Sequence, residues 1–136
     1  MKVFYQTSAT SVGGRSGVVK TDDGSLEFEL TAFNSGHEGV NPEKLFAMGY
    51  AACFDSAANL VAQQMELPVT SIKTNVHVGI GQVLGGAFAL EVAIKLYTQG
   101  LTQEQAQALV ERAHQVCPYS NATRNNIQIT VEAIAE

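Results

Sequence analysis

Two cysteines, Cys53 and Cys117, are the residues of this sequence with the clearest potential for chemistry. They lie far apart in the chain and form no Cys-x-x-Cys pair. For Cys53 alone, inside an apolar run, the simpler interpretation is a small buried hydrophobic residue. The functional interpretation is a reactive thiol at Cys53 that works with a second thiol at Cys117.

A working thiol at Cys53 would need a cation nearby, because apolar burial raises the pKa of a thiol above its usual value of about 8.5. The chain has only eight Lys and Arg residues, so candidates are few. Arg15, with Gly14 and Gly17 close by, is the first candidate, although a surface arginine at a hairpin base explains it equally well. Arg124 is the second candidate.

The predicted environment of Cys117 is the end of a helix, where the dipole disfavours a thiolate. This position suits a thiol that stays protonated and attacks later. Alternatively, Cys117 caps a short turn that opens at Pro118.

Glu43 is the carboxylate with the strongest claim to a role. It precedes Cys53 by ten residues of predicted helix, or roughly 15 Å of rise. Its side chain also leans toward the helix N-terminus, away from Cys53. If both serve one site, Glu43 must come from a second copy of the chain in a two-fold dimer. The simpler alternative is a first-turn acid that interacts with the helix dipole.

Other catalytic patterns are weak. His114 and Cys117 have i, i+3 spacing, but a zinc site needs three or four ligands, and His37 and His77 show no paired spacing. We therefore predict no metal site and no cofactor. The sequence contains no Gly-x-Ser-x-Gly or Walker motif, and no helix follows the Gly-x-Gly at 79–81.

The composition indicates one domain, residues 1–136. Charged residues make up 15% of the chain, against about 25% in typical domains, which indicates surface buried in an oligomer. The net charge of −5 argues against nucleic acid and anionic membranes as partners. We find no signal peptide and no uninterrupted apolar run of about 18 residues. The expected location is the cytoplasm, where thiols are commonly reduced or redox-active.

The order of predicted elements is βββ-α-ββ-α-β, which indicates an α+β fold with a largely antiparallel sheet. Asn41 and Pro42 are typical of a helix start, and the apolar run predicts one long helix to about Met65. Thr102 and Gln105 form a capping box for a second helix, 103–116. Strands are predicted at 3–9, on both sides of the Asp-Gly turn at 22–24, and at 71–80, 88–97 and 127–134.

Three sequence blocks together resemble one known family. They are Gly-Gly-Arg-Ser-Gly at 13–17, the run from Asn41 to Phe54, and His-Gln-Val-Cys-Pro-Tyr-Ser-Asn-Ala-Thr-Arg at 114–124. In this order they are similar to the organic hydroperoxide resistance proteins, a branch of the OsmC superfamily. The resemblance covers nearly the whole chain.

This resemblance implies a peroxidase that reduces alkyl and fatty-acid hydroperoxides to alcohols, with Cys53 as the peroxidatic and Cys117 as the resolving cysteine. It matches Arg15 and Glu43 to the activating pair of the family. It also implies an intertwined homodimer, with sheet wrapped around two central helices. The implied reductant is dihydrolipoamide or a lipoylated protein. Four apolar side chains would suit an alkyl chain, or would simply form core: Phe46, Met48, Tyr50 and Phe54.

Three alternatives remain open on the sequence. The first is an enzyme of the sister branch that prefers small or inorganic peroxides. The second is a lipid- or ligand-binding module whose cysteines belong to the core. The third is a redox-sensing interaction protein that is oxidised without sustained turnover.

Overall fold

The computed structural model describes all residues, 1–136, and has the α+β architecture that the sequence predicts. The chain divides into two compact units, residues 1–45 and 46–136, and the boundary falls within the first long helix. The elements are β1 (Ala9–Val12), β2 (Val18–Thr21), β3 (Glu27–Glu29), α1 (Pro42–Gln64), β4 (Ser71–Gln82), β5 (Phe88–Gln99), α2 (Gln103–Val116), α3 (Pro118–Thr123) and β6 (Gln128–Ala135).

The first unit contains a three-stranded antiparallel sheet in the order β1-β2-β3. The predicted hairpin around the Asp-Gly turn is confirmed, since β2 and β3 pair on either side of it. The predicted first strand at 3–9 is wrong, because the strand runs from Ala9 to Val12. Ala9 already lies opposite Thr21, the last residue of β2, so the residues before Ala9 have no neighbouring strand in this chain.

A short 3-10 turn, Gly14–Ser16, connects β1 to β2 and carries Arg15. The turn closes tightly, with the Gly17 N–H donating to the Gly14 carbonyl. A Cβ atom on Gly17 would lie 1.8 Å from the carbonyl oxygen of Val12. Only glycine fits there, so this residue allows the turn that presents Arg15.

Helix α1 begins as predicted: the Asn41 side chain accepts a hydrogen bond of 2.8 Å from the Lys44 N–H, and Pro42 follows at the first helical position. Its 23 residues and an 18-residue window with mean hydropathy 1.3 would by themselves allow a membrane span. Buried core helices have the same character, and one face of α1 forms the core of the second unit. That face contains Tyr50, Phe54, Ala57, Ala58, Val61 and Ala62.

The second unit is built on the sheet β4-β5-β6, in which β4 and β5 are antiparallel and β5 and β6 are parallel. All three strands were predicted. A parallel pair needs a long crossover connection, and here α2 and α3 supply it.

Helix α2 has both bonds of the predicted capping box, between Thr102 and Gln105. Its predicted apolar face is the buried one, and it contains Ala106, Leu109, Val110 and Ala113. Pro118 ends α2 as expected, but the chain then forms α3, which we did not predict as a helix. Proline fits the first position of a helix because its missing N–H would be unpaired there.

Candidate active site

The fold of the second unit brings the two cysteines together. The Cys117 thiol points at Cys53, with the two Sγ atoms 3.6 Å apart. Both are free thiols; Cys53 is half-buried and Cys117 is fully buried. Cys53 lies in the middle of α1, while Cys117 lies at the joint between α2 and α3. The sulfurs need to approach by only about 1.5 Å to form a disulfide.

The surroundings of Cys53 are mainly apolar, and burial raises the pKa of its thiol. A hydrogen bond from the Tyr119 backbone N–H lowers the pKa, but by less than burial raises it. No cationic side chain contributes to the pKa of Cys53. The thiol pair therefore has the right distance for disulfide chemistry and lacks a charge that would hold a thiolate.

A charged pair forms in the first unit. Arg15 donates from Nη1 to Glu43 Oε2 at 2.8 Å, and its Nη2 lies 2.7 Å from Glu43 Oε1. The bidentate contact lowers the pKa of Glu43 and raises that of Arg15. The Arg15 side chain is 42% exposed and that of Glu43 is 12% exposed. Since a guanidinium has about five N–H donors and two bond Glu43, the remainder are available to another group.

The second predicted cation, Arg124, has structural partners instead. Its guanidinium donates to the His114 carbonyl at the end of α2 and to the Asn121 side chain. A cation in this place compensates the negative end of the helix dipole.

The four apolar residues proposed to contact an alkyl chain lie in different surroundings. Tyr50 and Phe54 are fully buried in the core, and Phe46 is half-buried with its ring 5.9 Å from that of Tyr50. Met48 is 66% exposed. A role in substrate binding stays a prediction for all four, and Met48 and Phe46 are the accessible ones.

Sequence reasoning assigned no role to Tyr119, which contacts Cys53 through its backbone. Its ring packs against Tyr50, with centroids 5.6 Å apart, and its backbone N–H bonds Cys53. Gly49 leaves room for this ring, because a Cβ atom there would lie 3.0 Å from the Tyr119 hydroxyl oxygen. The signal was present: Tyr119 belongs to the Cys-Pro-Tyr-Ser block, and Gly49 lies one helical turn before Cys53.

Ser120 was also missed as a hydrogen-bond partner of both Tyr50 and His114. The Ser120 hydroxyl lies 2.8 Å from the Tyr50 hydroxyl and 2.8 Å from His114 Nδ1. Burial lowers the pKa of His114, and the charge of Arg124 lowers it further. Both effects favour the neutral form of the His114 imidazole.

Comparison with known proteins places these residues in a family. A family model described as OsmC-like protein matches residues 35–132. An organic hydroperoxide resistance protein of Xanthomonas axonopodis pv. citri is 44% identical over 135 residues, covering 96% of this chain and 94% of the relative. OhrB of Bacillus subtilis is 40% identical over 133 residues, covering 95% and 97%.

A solved structure agrees with these relatives. The crystal structure of an organic hydroperoxide resistance protein from Elizabethkingia anophelis has a TM-score of 0.93 and 47% identity, and each chain covers 100% of the other. The chain thus belongs to the OsmC-like family, in its organic hydroperoxide resistance branch.

Proposed function

We propose that this protein is a thiol peroxidase that reduces organic hydroperoxides to alcohols. The observation that carries the proposal is the 3.6 Å separation of the Cys53 and Cys117 sulfurs. The names of the relatives support a role in organic hydroperoxide resistance. Two facing thiols supply a mechanism for such a role. The peroxide can oxidise one thiol to sulfenic acid, and the other thiol can convert that sulfenic acid into a disulfide.

The first step is the attack of Cys53 on the peroxide. The Cys53 thiol first gives up its proton, and the thiolate then attacks the outer oxygen of ROOH, so that the O–O bond breaks and the sulfur becomes sulfenic acid. The alkoxide takes up the proton that Cys53 released and leaves as ROH, so the peroxide is reduced by two electrons and the sulfur is oxidised by two. Apolar surroundings favour a substrate with an alkyl or fatty-acid chain over hydrogen peroxide.

The second step closes a disulfide. Cys117 attacks the sulfenic sulfur of Cys53, the S–O bond breaks, and the thiol proton leaves with the hydroxyl group as water. An external dithiol then reduces the disulfide through a mixed disulfide. We propose dihydrolipoamide or a lipoylated protein as that dithiol, on the basis of the family resemblance, and the cytoplasm as the location.

Activation of Cys53 requires the Arg15–Glu43 pair, and we place that pair on the partner chain of a homodimer. Arg15 would stabilise the thiolate and the developing alkoxide, while Glu43 holds the guanidinium in a fixed orientation. Glu43 and Cys53 are ten residues apart on one helix, which separates them by roughly 15 Å along its axis. Large apolar side chains that lie exposed on the single chain also support association, and they include Phe4, Met48, Leu60, Leu84 and Phe88.

The deciding experiment is turnover of an alkyl hydroperoxide with dihydrolipoamide, for wild type and Cys53→Ser. We expect turnover that the substitution abolishes. A matched panel with hydrogen peroxide tests the substrate class, and a clear preference for hydrogen peroxide would favour the sister-branch enzyme. If fully reduced wild type consumes no peroxide, the ligand-binding interpretation replaces this proposal, and oxidation without turnover favours a redox sensor.

The shared site has a separate test. A Cys53→Ser chain and an Arg15→Met chain, each inactive alone, are unfolded together and refolded as a mixture. If each site uses residues from both chains, half of the dimers are mixed and each has one complete site, giving about a quarter of wild-type turnover. No recovery, with mixed dimers confirmed by mass, would contradict a shared site.

A further inference from the structure

Three buried hydroxyl residues and one half-buried histidine form a cluster beside the two cysteines, and the peroxidase mechanism above uses none of their polar groups. We call Tyr50, Ser120, Thr123 and His114 the hydroxyl cluster. Tyr50 and Ser120 have no exposed surface, and Thr123 is 6% exposed. Polar groups buried in this way need hydrogen-bond partners, and each of these has at least one.

If all the contacts of the hydroxyl cluster are hydrogen bonds at the same time, they can have only one direction. Thr123 donates its single hydroxyl proton to the Tyr119 carbonyl at 2.8 Å, since a carbonyl can only accept. Thr123 must then accept from the Tyr50 hydroxyl, 3.3 Å away. Tyr50 has no second proton, so it accepts from Ser120.

The same reasoning fixes the tautomer of His114. The Ser120 proton is used toward Tyr50, so Ser120 can only accept from His114 Nδ1 at 2.8 Å. The neutral imidazole must therefore hold its proton on Nδ1 and leave Nε2 unprotonated. The result is a continuous donor chain from His114 through Ser120, Tyr50 and Thr123 to the Tyr119 carbonyl.

The hydroxyl cluster connects three helices at the place where Cys117 lies. Tyr50 comes from α1, three residues before Cys53, while Ser120 comes from α3, three residues after Cys117. Residues three apart lie on the same face of a helix, so the Tyr50–Ser120 bond crosses from α1 to α3 one turn away from both sulfurs. His114 adds a hydrogen bond from α2 to α3, so the junction that carries Cys117 is also held from the α2 side.

We propose that the hydroxyl cluster is a positioning device that holds Cys117 against Cys53 and so sets the rate of disulfide closure. The proposal rests on the proposed function for its role in the catalytic cycle. The four residues act through Cys117 and do not touch the peroxide through their hydroxyl or imidazole groups. Slow closure would leave Cys53 as sulfenic acid for longer and expose it to further oxidation to sulfinic acid.

The test uses Ser120→Ala, which removes the central hydroxyl and both of its bonds. Closure is first driven by diamide, a thiol oxidant that needs no peroxidase activity. We expect closure to slow by about 10- to 100-fold, since small misplacements of reacting groups have effects of this size. Ser71→Ala, an exposed serine at the start of β4, is the control and should close at the wild-type rate.

A second measurement separates closure from the peroxide step. In a Cys117→Ser background, the added Ser120→Ala substitution should leave the rate of sulfenic acid formation unchanged within about two-fold. The Ser120→Ala protein that retains both cysteines should accumulate more sulfinic acid than wild type, as measured by mass spectrometry. Wild-type closure rates in the Ser120→Ala protein would overturn the proposal. Slowed diamide closure in a protein that consumes no peroxide would reject the peroxidase function and retain the positioning role.

The tautomer gives a test that needs no substitution. Nitrogen-15 NMR of the wild-type protein should show neutral His114 protonated on Nδ1 above pH 7. Protonation on Nε2 would break the donor chain and overturn its direction. This measurement decides the direction of the donor chain even if the Ser120→Ala protein fails to fold.

Discussion

The Arg15–Glu43 pair and the Cys53–Cys117 pair have opposite surroundings. The first is a charged contact whose guanidinium is 42% exposed and has donors to spare. The second is a thiol pair in an apolar setting, where burial raises the pKa of Cys53 and no cation lowers it. The cation is found in one pair and the thiols in the other, and this difference is the basis on which we propose a site shared between two chains.

The strongest test of this comparison is to remove the cation. Arg15→Met should lower peroxide turnover by about 10²- to 10³-fold, the usual effect of losing a group that stabilises developing negative charge. It should also raise the pKa of Cys53 in the assembled protein, which the pH profile of Cys53 alkylation by iodoacetamide measures.

Arg112→Met provides the control for that experiment, since Arg112 lies exposed on α2 and bonds Gln115. It should leave both turnover and the alkylation profile unchanged. An unaltered alkylation profile in Arg15→Met would show that Arg15 does not act on Cys53.

The turn that carries Arg15 can be disrupted while both charges of the Arg15–Glu43 pair are kept. Gly17→Ala places a Cβ atom against the Val12 carbonyl, and we expect a loss of about 3 kcal/mol or more because backbone must move. Turnover should fall with it, as the Arg15 turn loses its shape. Gly81→Ala, where a Cβ meets nothing within 4 Å, should cost much less in chemical denaturation at the same protein concentration.

Acid should weaken the charged pair in a defined direction. Arg15 lowers the pKa of Glu43 below its ordinary 4.5, so the pair stabilises the fold fully above that pH and loses its contribution as the pH falls through the lowered value. Glu43→Gln should reduce stability at pH 7 by about 1 kcal/mol or less, because Arg15 is partly exposed. The difference from wild type should shrink in denaturation curves as the pH falls below 4.5; a constant difference would contradict the assignment.

The smallest expected effect on stability comes from a substitution near the Cys53–Cys117 pair. Gly49→Ala gains about 1 kcal/mol of helix propensity but crowds the Tyr119 ring, at a cost of about 1 kcal/mol or more. The two terms nearly cancel, so the melting temperature should change little. A change in Cys53 alkylation should still be measurable, because Tyr119 carries the N–H that bonds the sulfur; Ser56→Ala, exposed on the same helix, is the control.

The sequence predicted most helices and strands because their signals are local. The cap at Asn41, the capping box at Thr102 and the alternation in β5 each depend on a few adjacent residues. The prediction of a strand at 3–9 was wrong because a strand needs a neighbouring strand to pair with. The apolar and aromatic residues there fit a strand pattern, but this chain has no neighbouring strand at that place. The helix α3 was missed because a proline that ends one helix can equally begin the next.

The sequence identifies the candidate residues of the site, but it does not identify the residues that hold them in place. Residue type singled out Cys53, Cys117, Arg15 and Glu43, and resemblance paired them. The contact between Tyr50 and Ser120 joins residues 70 positions apart, and no periodicity in the sequence connects them. Such contacts depend on how three helices cross, which is set by packing of the whole second unit.

The parallel pairing of β5 with β6 has a consequence for biosynthesis. The joint that carries Cys117 lies in the crossover between these strands, and non-local pairing of this kind forms late because loop closure must come first. Until the ribosome has released β6, nothing anchors the far end of that crossover. Nascent chains therefore carry Cys53 without Cys117 in place, and under the proposed mechanism oxidant stress during translation should damage new molecules more readily than mature ones.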